Sequence, residues 1–183
     1  FCGEPVKDGN LCQNHNVPCD MVWCFARRTG AVAKIINDYK FRRVQAAAGV
    51  LSDLLDVKLP PLPPEAIIVP IPTISQNIRR RGFDHIQKIA MKLSRRRKVD
   101  CLFLLRRCNN VTQHFTKSSR QRRRQAKDFF ELRGVIDKNR RYVIIDDIFT
   151  TGSTVMAAAD CLKKAGAEYV EIAVIVRHGR PKL

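Results

Sequence analysis

Two adjacent carboxylates, Asp146 and Asp147, end an apolar run and precede a turn of small polar residues. The turn contains Thr150, Thr151, Gly152, Ser153 and Thr154. Ionised carboxylates only accept hydrogen bonds, which suits the hydroxyl donors of a sugar. Hydroxyls and backbone N–H groups in a glycine-containing turn before a helix suit a phosphate group. This spacing predicts a site for a phosphorylated sugar.

The elements around these residues should hold them in place. Val143, Ile144 and Ile145 form a β-branched apolar run, which predicts a strand buried within a parallel sheet. The acids should then lie at the strand's carboxyl end, where such sheets bind ligands, and should face opposite sides. A helix is expected from near Ser153, with Gly166 just beyond its end. The alternative is an ordinary strand–turn–helix in which the hydroxyls only cap the helix.

The rest of the chain alternates helical and strand-like patterns. One long helix or two are predicted over 31–55, and a helix carries the apolar stripe of Ile86, Ile89, Ala90 and Leu93. Strands are predicted over 66–69, over 99–105 with its centre at 102–104, and over 169–176. This alternation predicts an α/β domain over 29–183, with a parallel sheet flanked by helices.

Residues 1–28 are predicted to form a separate small module, because cysteines are crowded there. A structural zinc site needs four ligands. The candidates are Cys2, Cys12 and His15, with the fourth ligand upstream of the first residue or supplied by Cys19 or Cys24. The alternative is a loop with unrelated thiols. No secretory signal segment is recognisable, so disulfides are not the default expectation.

The chain is strongly basic, with 34 Lys and Arg against 17 acids and a net charge of +17. Such a charge favours phosphate-rich partners. Arginines cluster at 79–81, 95–97 and 120–124. These clusters are either solvated surface or contacts with a nucleic acid. The apolar runs are too short to span a membrane, and we expect a cytoplasmic protein.

The acid–threonine motif resembles the phosphoribosyl pyrophosphate (PRPP) motif of type I phosphoribosyltransferases. The order of motifs is similar to that of the ComF family of competence-associated proteins. The matching features are the cysteine-rich start, Lys40-Phe41, V-P-I-P at 69–72, R-R-G-F at 80–83, Gln113, Phe129-Phe130 and D-D-I-F-T-T-G-S-T. Asp84-His85 departs from the family, which usually has Asn-Gln there.

The resemblance implies a role for each part of a PRPP site. The acid pair would contact the ribose 2′- and 3′-hydroxyls, and Thr150 to Thr154 would hold the 5′-phosphate. The pyrophosphate loop would consist of Val69, Pro70, Ile71, Pro72 and Thr73, with Arg79 and Arg81 neutralising the diphosphate. Residues 109–125 would form a hood loop that closes over the substrate. Lys40 would reach the site from the hood, unless it is an exposed helix lysine.

The same resemblance implies a function in DNA uptake during natural competence. It implies binding of PRPP, or of another phosphorylated ribose, with Mg²⁺, and phosphoribosyl transfer or a vestige of it, a reaction type of nucleotide metabolism. Structural zinc would belong to the N-terminal zinc-ribbon-like module. Asp146 and Asp147 would be the catalytic residues. The alternative is a non-enzymatic accessory of the competence machinery that binds single-stranded DNA and uses the fold as a phosphate-binding scaffold.

Overall fold

The computed structural model describes residues 17–108 and 129–177. The strands are β1 (Met21–Arg27), β2 (Ile67–Pro70), β3 (Asp100–Cys101), β4 (Leu105–Arg107), β5 (Phe130–Leu132), β6 (Arg141–Phe149) and β7 (Tyr169–Arg177). The helices are α1 (Gly30–Phe41), α2 (Ala47–Lys58), α3 (Ser75–Arg81), α4 (His85–Arg97) and α5 (Ser153–Lys164). Among these residues, a parallel sheet has the strand order β1-β7-β6-β2-β3, and β4 and β5 form an antiparallel pair. The predicted α/β fold with a parallel sheet is confirmed.

Two apolar layers bury the sheet. Helices α1, α2 and α4 cover one face, against Val143 and Ile145 of β6. Helix α5 and the β4–β5 pair cover the other face, against Tyr142 and Ile144. All four of these β6 residues are fully buried, as expected for an apolar run in the middle of a parallel sheet. The central strand is therefore fixed from both sides.

Several predicted helices are confirmed in position. The 31–55 region contains two helices, because the chain leaves α1 after Phe41 and Arg43 takes a left-handed backbone conformation with φ of 58°. The apolar stripe of α4 is buried, as predicted. Helix α5 begins at Ser153, and Gly166 lies just beyond its end with φ of 104°. That positive φ favours glycine and stops the helix.

The strand predicted over 99–105 was wrong in its extent. Only Asp100–Cys101 pairs with β2, and Leu102 and Phe103 at the predicted centre are partly exposed. β3 lies at the edge of the sheet and pairs only with Ile67 and Ile68, so it leaves the sheet two residues before β2 ends. The chain turns away, and Leu105 begins β4, which pairs with β5 over the α5 side of the sheet.

Part of the predicted N-terminal module belongs to the main sheet. Met21–Arg27 forms β1, which pairs in parallel with β7 along nearly its whole length. The boundary at residue 28 is therefore corrected, because these residues complete one edge of the sheet. Residues 1–16 lie outside the described residues, as do 109–128, which include the whole of the predicted hood loop.

Candidate functional site

The two acids lie inside β6 and not at its tip, which corrects the expectation from the sequence. β7 continues to pair with β6 as far as Phe149, opposite Arg177. On the other edge, pairing ends where the Ile71 N–H donates to the Ile145 carbonyl at 3.0 Å. Asp146 and Asp147 therefore lie beyond the end of β2, where β7 still pairs with β6. This leaves one edge of β6 open beside both acids.

The acids point to opposite faces of the sheet, as strand alternation requires. Asp146 is in register with Val174, which belongs to the apolar cluster around α5. Asp147 contacts Lys40 of α1 and His85 of α4 on the other face. The two neighbouring carboxyl groups consequently have different partners.

Asp147 is a buried anion with two donors. It is 5% exposed, forms an ion pair with Lys40, and accepts a hydrogen bond from His85 at 3.0 Å. Burial alone would raise its pKa, but the His85 hydrogen bond and the Lys40 charge outweigh burial and lower the pKa to about 2. Lys40 thus lies at the site with a mostly buried side chain and is not an exposed helix lysine.

His85 links Asp147 to Arg81. The Arg81 guanidinium lies 3.0 Å from His85 Nδ1 and can only donate, so Nδ1 must accept. The proton then lies on Nε2, which donates to Asp147. Thr73 Oγ1 is also near Nδ1, but its hydroxyl donates to Asp84 at 2.8 Å. We infer that neutral His85 bridges a buried arginine and a buried carboxylate.

The pKa of Asp146 is shifted in the opposite direction to that of Asp147. Burial and the neighbouring charge of Asp147 raise its pKa to about 7, although the Asp147 N–H, Lys40 and Arg107 favour the ionised form. The Asp147 N–H donates to Asp146 Oδ1 at 2.9 Å. Asp146 is therefore a partly exposed carboxyl group that changes charge near neutral pH, next to the open edge of β6.

The predicted pyrophosphate loop has few donors to offer in this arrangement. The side chains of Val69 and Ile71 belong to the buried core, and the Ile71 N–H bonds to Ile145. Pro70 and Pro72 have no N–H group. The Thr73 N–H donates to Asp84 Oδ2 at 3.3 Å. Between residues 70 and 73, the backbone donors are therefore already engaged.

The contacts of Asp84 account for an aspartate at a position where the family usually has asparagine. Its Oδ1 accepts from the N–H groups of Ile86 and Gln87 at 3.1 Å each, so it caps α4. Its carboxylate also accepts hydrogen bonds from both the N–H and the hydroxyl of Thr73. Asp84 thus occupies donors that an anionic ligand could otherwise use, and it fixes the turn to the helix.

The predicted phosphate loop is open to an anion. Gly152 takes φ of 76°, a left-handed conformation that favours glycine, and α5 begins at the next residue. The capping residue Gly152 has no side chain, and the Ser153 N–H donates to Thr151 Oγ1 at 3.4 Å. Thr151 and Ser153 are exposed, with their hydroxyl oxygens 3.0 Å apart. The N-terminal end of α5 thus presents N–H groups and hydroxyls, which is a suitable environment for a phosphate. Exposed Thr150 and half-buried Thr154 flank these residues.

The structure separates the two arginines that the resemblance assigned to the diphosphate. Arg79 is exposed on α3, whereas Arg81 is only 8% exposed and its guanidinium is engaged by His85. Burial lowers the Arg81 pKa, and the charge of Asp147 opposes this effect. Arg81 thus supports Asp147 through His85.

Arg107 is a site residue that the sequence did not reveal. Its Nε donates to the Pro72 carbonyl at 2.7 Å, and its guanidinium carbon lies 5.1 Å from the centre of the Phe130 ring. Burial lowers its pKa, while the charges of Asp146 and Asp84 favour the cation. No motif marks Arg107. The signal would have been the antiparallel pairing of residues 105–107 with residues 130–132, which the sequence did not predict.

The predicted zinc ligands Cys2, Cys12 and His15 lie outside the described residues. Cys19 is buried with its sulfur 3.9 Å from the Met156 sulfur, and burial raises its pKa to about 12. The Cys24 thiol in β1 donates to the Ala26 carbonyl at 3.3 Å. Within residues 17–108 and 129–177, no group of three His, Cys, Asp or Glu side chains could hold a metal ion.

Comparisons with known proteins extend this picture. Residues 78–183 match the phosphoribosyl transferase domain family. DNA utilization protein YhgH of Escherichia coli O157:H7 is 31% identical over 190 residues, covering 96% of this chain and 82% of YhgH. Competence protein F of Haemophilus influenzae is 32% identical over 114 residues, covering 60% of this chain and 48% of that protein. The chain belongs to the ComF family.

A solved structure of the allosteric regulatory enzyme of purine biosynthesis resembles this ComF-family chain with a TM-score of 0.50 at 20% identity. The match covers 72% of this chain but only 26% of that enzyme, so the likeness concerns the fold alone. Among the described residues of this ComF-family chain, no helix has the length and apolar character needed to cross a membrane.

Proposed function

We propose that this ComF-family chain binds PRPP with Mg²⁺ at the carboxyl end of β6 and transfers its phosphoribosyl group. One observation carries the proposal. A partly exposed carboxyl group, Asp146, and the N-terminus of α5 at Ser153 lie on one continuous strand–loop–helix. A ribose phosphate carries hydroxyl donors and an anion, and this segment offers an acceptor for the first and donors for the second.

The two acids would have different roles, with Asp146 contacting the ligand and Asp147 holding the surrounding side chains. Asp146 would accept the ribose hydroxyls, because it lies at the open edge of β6 and has no cation paired to it among the described residues. Asp147 would act through its partners, because Lys40 and His85 already occupy its Oδ2 atom. We expect Asp147 to keep the strand and the α1 and α4 side chains in place while Asp146 contacts the ligand.

The donor set fits Mg²⁺ in the manner usual for phosphate-transferring proteins. Mg²⁺ binds oxygen atoms, retains several waters, and is commonly held by one or two carboxylates together with substrate phosphates. The described residues supply carboxylates at the site but no complete protein cage. Asp146 would therefore share the ion with the diphosphate of the ligand. When bound, Mg²⁺ would neutralise charge that develops on the departing diphosphate.

Binding calorimetry tests this proposal. The full chain is titrated with PRPP, with and without Mg²⁺, and compared with Asp146→Asn and with a control, Asp160→Asn. Asp160 lies on α5 and pairs only locally with Lys164. We expect Mg²⁺-dependent binding that Asp146→Asn weakens at least tenfold and Asp160→Asn leaves unchanged. Pyrophosphate release with a panel of nucleobases then tests transfer. Absence of PRPP binding by the unmodified chain would contradict the proposal.

A second candidate function, binding of single-stranded DNA, rests on a different surface. Phe41 is 61% exposed at the end of α1, and the guanidinium carbons of Arg80 and Arg81 each lie 5.8 Å from its ring centre. Arg43 donates to the Arg80 carbonyl at 2.7 Å. We call this surface the arginine–phenylalanine face; it comprises Phe41, Arg43 and Arg80.

The chemistry of this face suits an unpaired strand. Bases stack on exposed aromatic rings for about 1–3 kcal/mol each, and arginines bind the phosphates between them. The net charge of +17 would draw a polyanion towards the chain. The names of the relatives, DNA utilization protein and Competence protein F, support a function that involves DNA. Fluorescence anisotropy of a labelled oligonucleotide tests the idea, because binding through arginines must weaken as salt rises.

A further inference from the structure

A cleft of about 660 Å³ runs along the side of α1 that faces away from the sheet. Ala33, Asn37 and Phe41 line it, because residues four positions apart share one face of a helix. Ile36 and Tyr39 occupy the opposite, buried face. The volume lies within the usual range for small-ligand sites. The residues that line this cleft are separate from those of the proposed PRPP site.

Two polar groups in the cleft have unused hydrogen-bonding capacity. Arg28 Nη2 donates to Asn37 Oδ1 at 3.2 Å, which fixes the orientation of the amide because a guanidinium can only donate. The amino group of Asn37 then has no acceptor among the described residues. The buried Nε atom of half-buried Arg28 likewise lacks a partner within 17–108 and 129–177. Because an unpaired buried donor is unfavourable, both groups suit acceptors supplied by a ligand.

The charges around the cleft are mostly positive. Arg28, Lys34 and Arg42 line it together with one acid, Asp38. Asp38 forms an ion pair with Arg42, whose Nε lies 3.3 Å from Asp38 Oδ1. Lys34 is exposed, and no ion pair joins it to another residue in the described part of the chain. The positive charge of Arg28 and Lys34 therefore favours an anionic ligand.

Phe41 joins the cleft to the arginine–phenylalanine face. Its ring lines the cleft and is 61% exposed, so it offers a flat surface on which a base can stack. Asn37 lies one turn earlier on the same face of α1, about 6 Å along the helix axis. A base stacked on the ring can therefore turn its edge towards the free amide donors. A nucleobase with its neighbouring phosphate needs this combination of ring, donors and cations.

We propose that the cleft along α1 binds one unpaired nucleotide of single-stranded DNA. The base stacks on Phe41, and its carbonyl oxygens accept from the Asn37 amide. Arg28 and Lys34 bind the adjoining phosphate. Because Asn37 Oδ1 is already engaged, the cleft offers only donors, which suits the carbonyl oxygens of thymine better than the amino group of adenine. This inference rests on the second candidate function and adds a base site to it.

Fluorescence anisotropy with two labelled strands tests the base site. One is a thymine oligonucleotide, and the other is an abasic strand of the same length and charge. The full chain is compared with Asn37→Asp, which keeps an acceptor for Arg28 but removes the amide donors. We expect the unmodified chain to prefer the thymine strand about 10- to 100-fold. Asn37→Asp should reduce this preference about 3- to 10-fold.

The phosphate contact is tested with a pair of lysine variants. Lys34→Gln and the control Lys92→Gln, at an exposed position on α4, change the net charge equally. Lys34→Gln should weaken binding of both strands about threefold more than Lys92→Gln and should lower the salt dependence of binding. Equal effects of the two variants would remove Lys34 from the site.

The possible outcomes separate this inference from the proposed functions. If the unmodified chain binds neither strand, the second candidate function fails and the base site fails with it. If both strands bind equally, or if Asn37→Asp keeps the preference or weakens both strands alike, the base site alone is refuted. Thymidine 5′-monophosphate that binds as tightly as the oligonucleotide would overturn the assignment to a strand. PRPP affinity and thermal unfolding of Asn37→Asp should match those of the unmodified chain, which shows that the variant is folded.

Discussion

Replacing either acid of the pair by its isosteric amide should change the free energy of unfolding in opposite directions. Burial and the charge of Asp147 raise the Asp146 pKa from 3.8 to about 7. The pKa of Asp147, despite its burial, is lowered to about 2 by His85 and Lys40. The folded protein therefore disfavours one carboxylate and favours the other, although they are adjacent in the chain.

The magnitude for Asp146→Asn follows from the raised pKa. A rise of about three pH units corresponds to roughly 4 kcal/mol when the group is fully ionised. Partial exposure and solvent screening reduce this value. The amide oxygen can still accept the Asp147 N–H at 2.9 Å. We expect Asp146→Asn to be about 1–3 kcal/mol more stable than the unmodified chain near pH 8.

The pH dependence has a definite sign. Because the folded-state pKa of Asp146 lies above the unfolded value, the folded state binds the extra proton between pH 3.8 and about 7. Asp146 therefore makes the folded state less stable as the pH rises through this window, and the effect levels off above it. The advantage of Asp146→Asn should be near zero at about pH 4 and largest above about pH 7.

The companion variant, Asp147→Asn, should be destabilised. It removes the charge that compensates a mostly buried Lys40. Breaking a buried pair by removing one partner costs about 3–5 kcal/mol in well-enclosed sites. The Lys40 side chain retains some exposure, so we expect a loss of about 2–4 kcal/mol. This loss should be greatest where Asp147 is ionised, well above its lowered pKa, and should shrink in strong acid.

Urea unfolding of the three proteins, followed by circular dichroism between about pH 4 and 8, measures these differences. PRPP binding to Asp146→Asn is measured in parallel, because the stabilised variant should lose the ligand. The reasoning would be refuted if Asp146→Asn were less stable than the unmodified chain at pH 8. It would also be refuted if the difference between them did not grow with pH.

Three further results are expected. Phe41→Ala should weaken binding of single-stranded DNA about 5- to 100-fold, whereas Val57→Ala, at another exposed apolar residue, should not; equal anisotropy curves would exclude stacking on Phe41. Gly152→Ala should lower the free energy of unfolding by about 1–2 kcal/mol and weaken PRPP binding, because φ there is 76°, whereas Gly49→Ala within α2 should be neutral or stabilising. PRPP affinity should fall below about pH 7, as Asp146 takes up a proton; a flat calorimetric profile from about pH 6 to 8 would argue against this role.

Local signals in the sequence were enough for the strand–loop–helix of the site. The β-branched run of β6, the glycine at 152 and the stop at Gly166 each depend on neighbours within a few residues, and each has the predicted conformation. Strand alternation likewise separated Asp146 from Asp147 without any tertiary information. These features are set by backbone geometry, which short patterns encode.

The side chains that contact the two acids could not be predicted from such local patterns. Lys40 and His85 reach Asp147 only because α1 and α4 pack on the same face of the sheet. Arg107 reaches the turn at Pro72 because β4 leaves the sheet and pairs with β5. Such contacts join residues that are tens of positions apart, and their spacing in the sequence carries no signal. The sequence predicted the strand, the loop and the helix of the candidate site better than the side-chain contacts around them.

The Asp84-His85 pair gives the region beneath the site a balanced charge. Lys40 and Arg81 are the cations there, and Asp147 and Asp84 are the anions that face them. An asparagine at position 84 would also cap α4 but would leave one positive charge uncompensated. With Asp84 in place, the buried network needs no anion from outside. Among the described residues, Arg107 and the positive end of α5 then remain for a ligand on the same side as Asp146. This division explains why a ligand would contact one acid of the pair while the other holds the protein together.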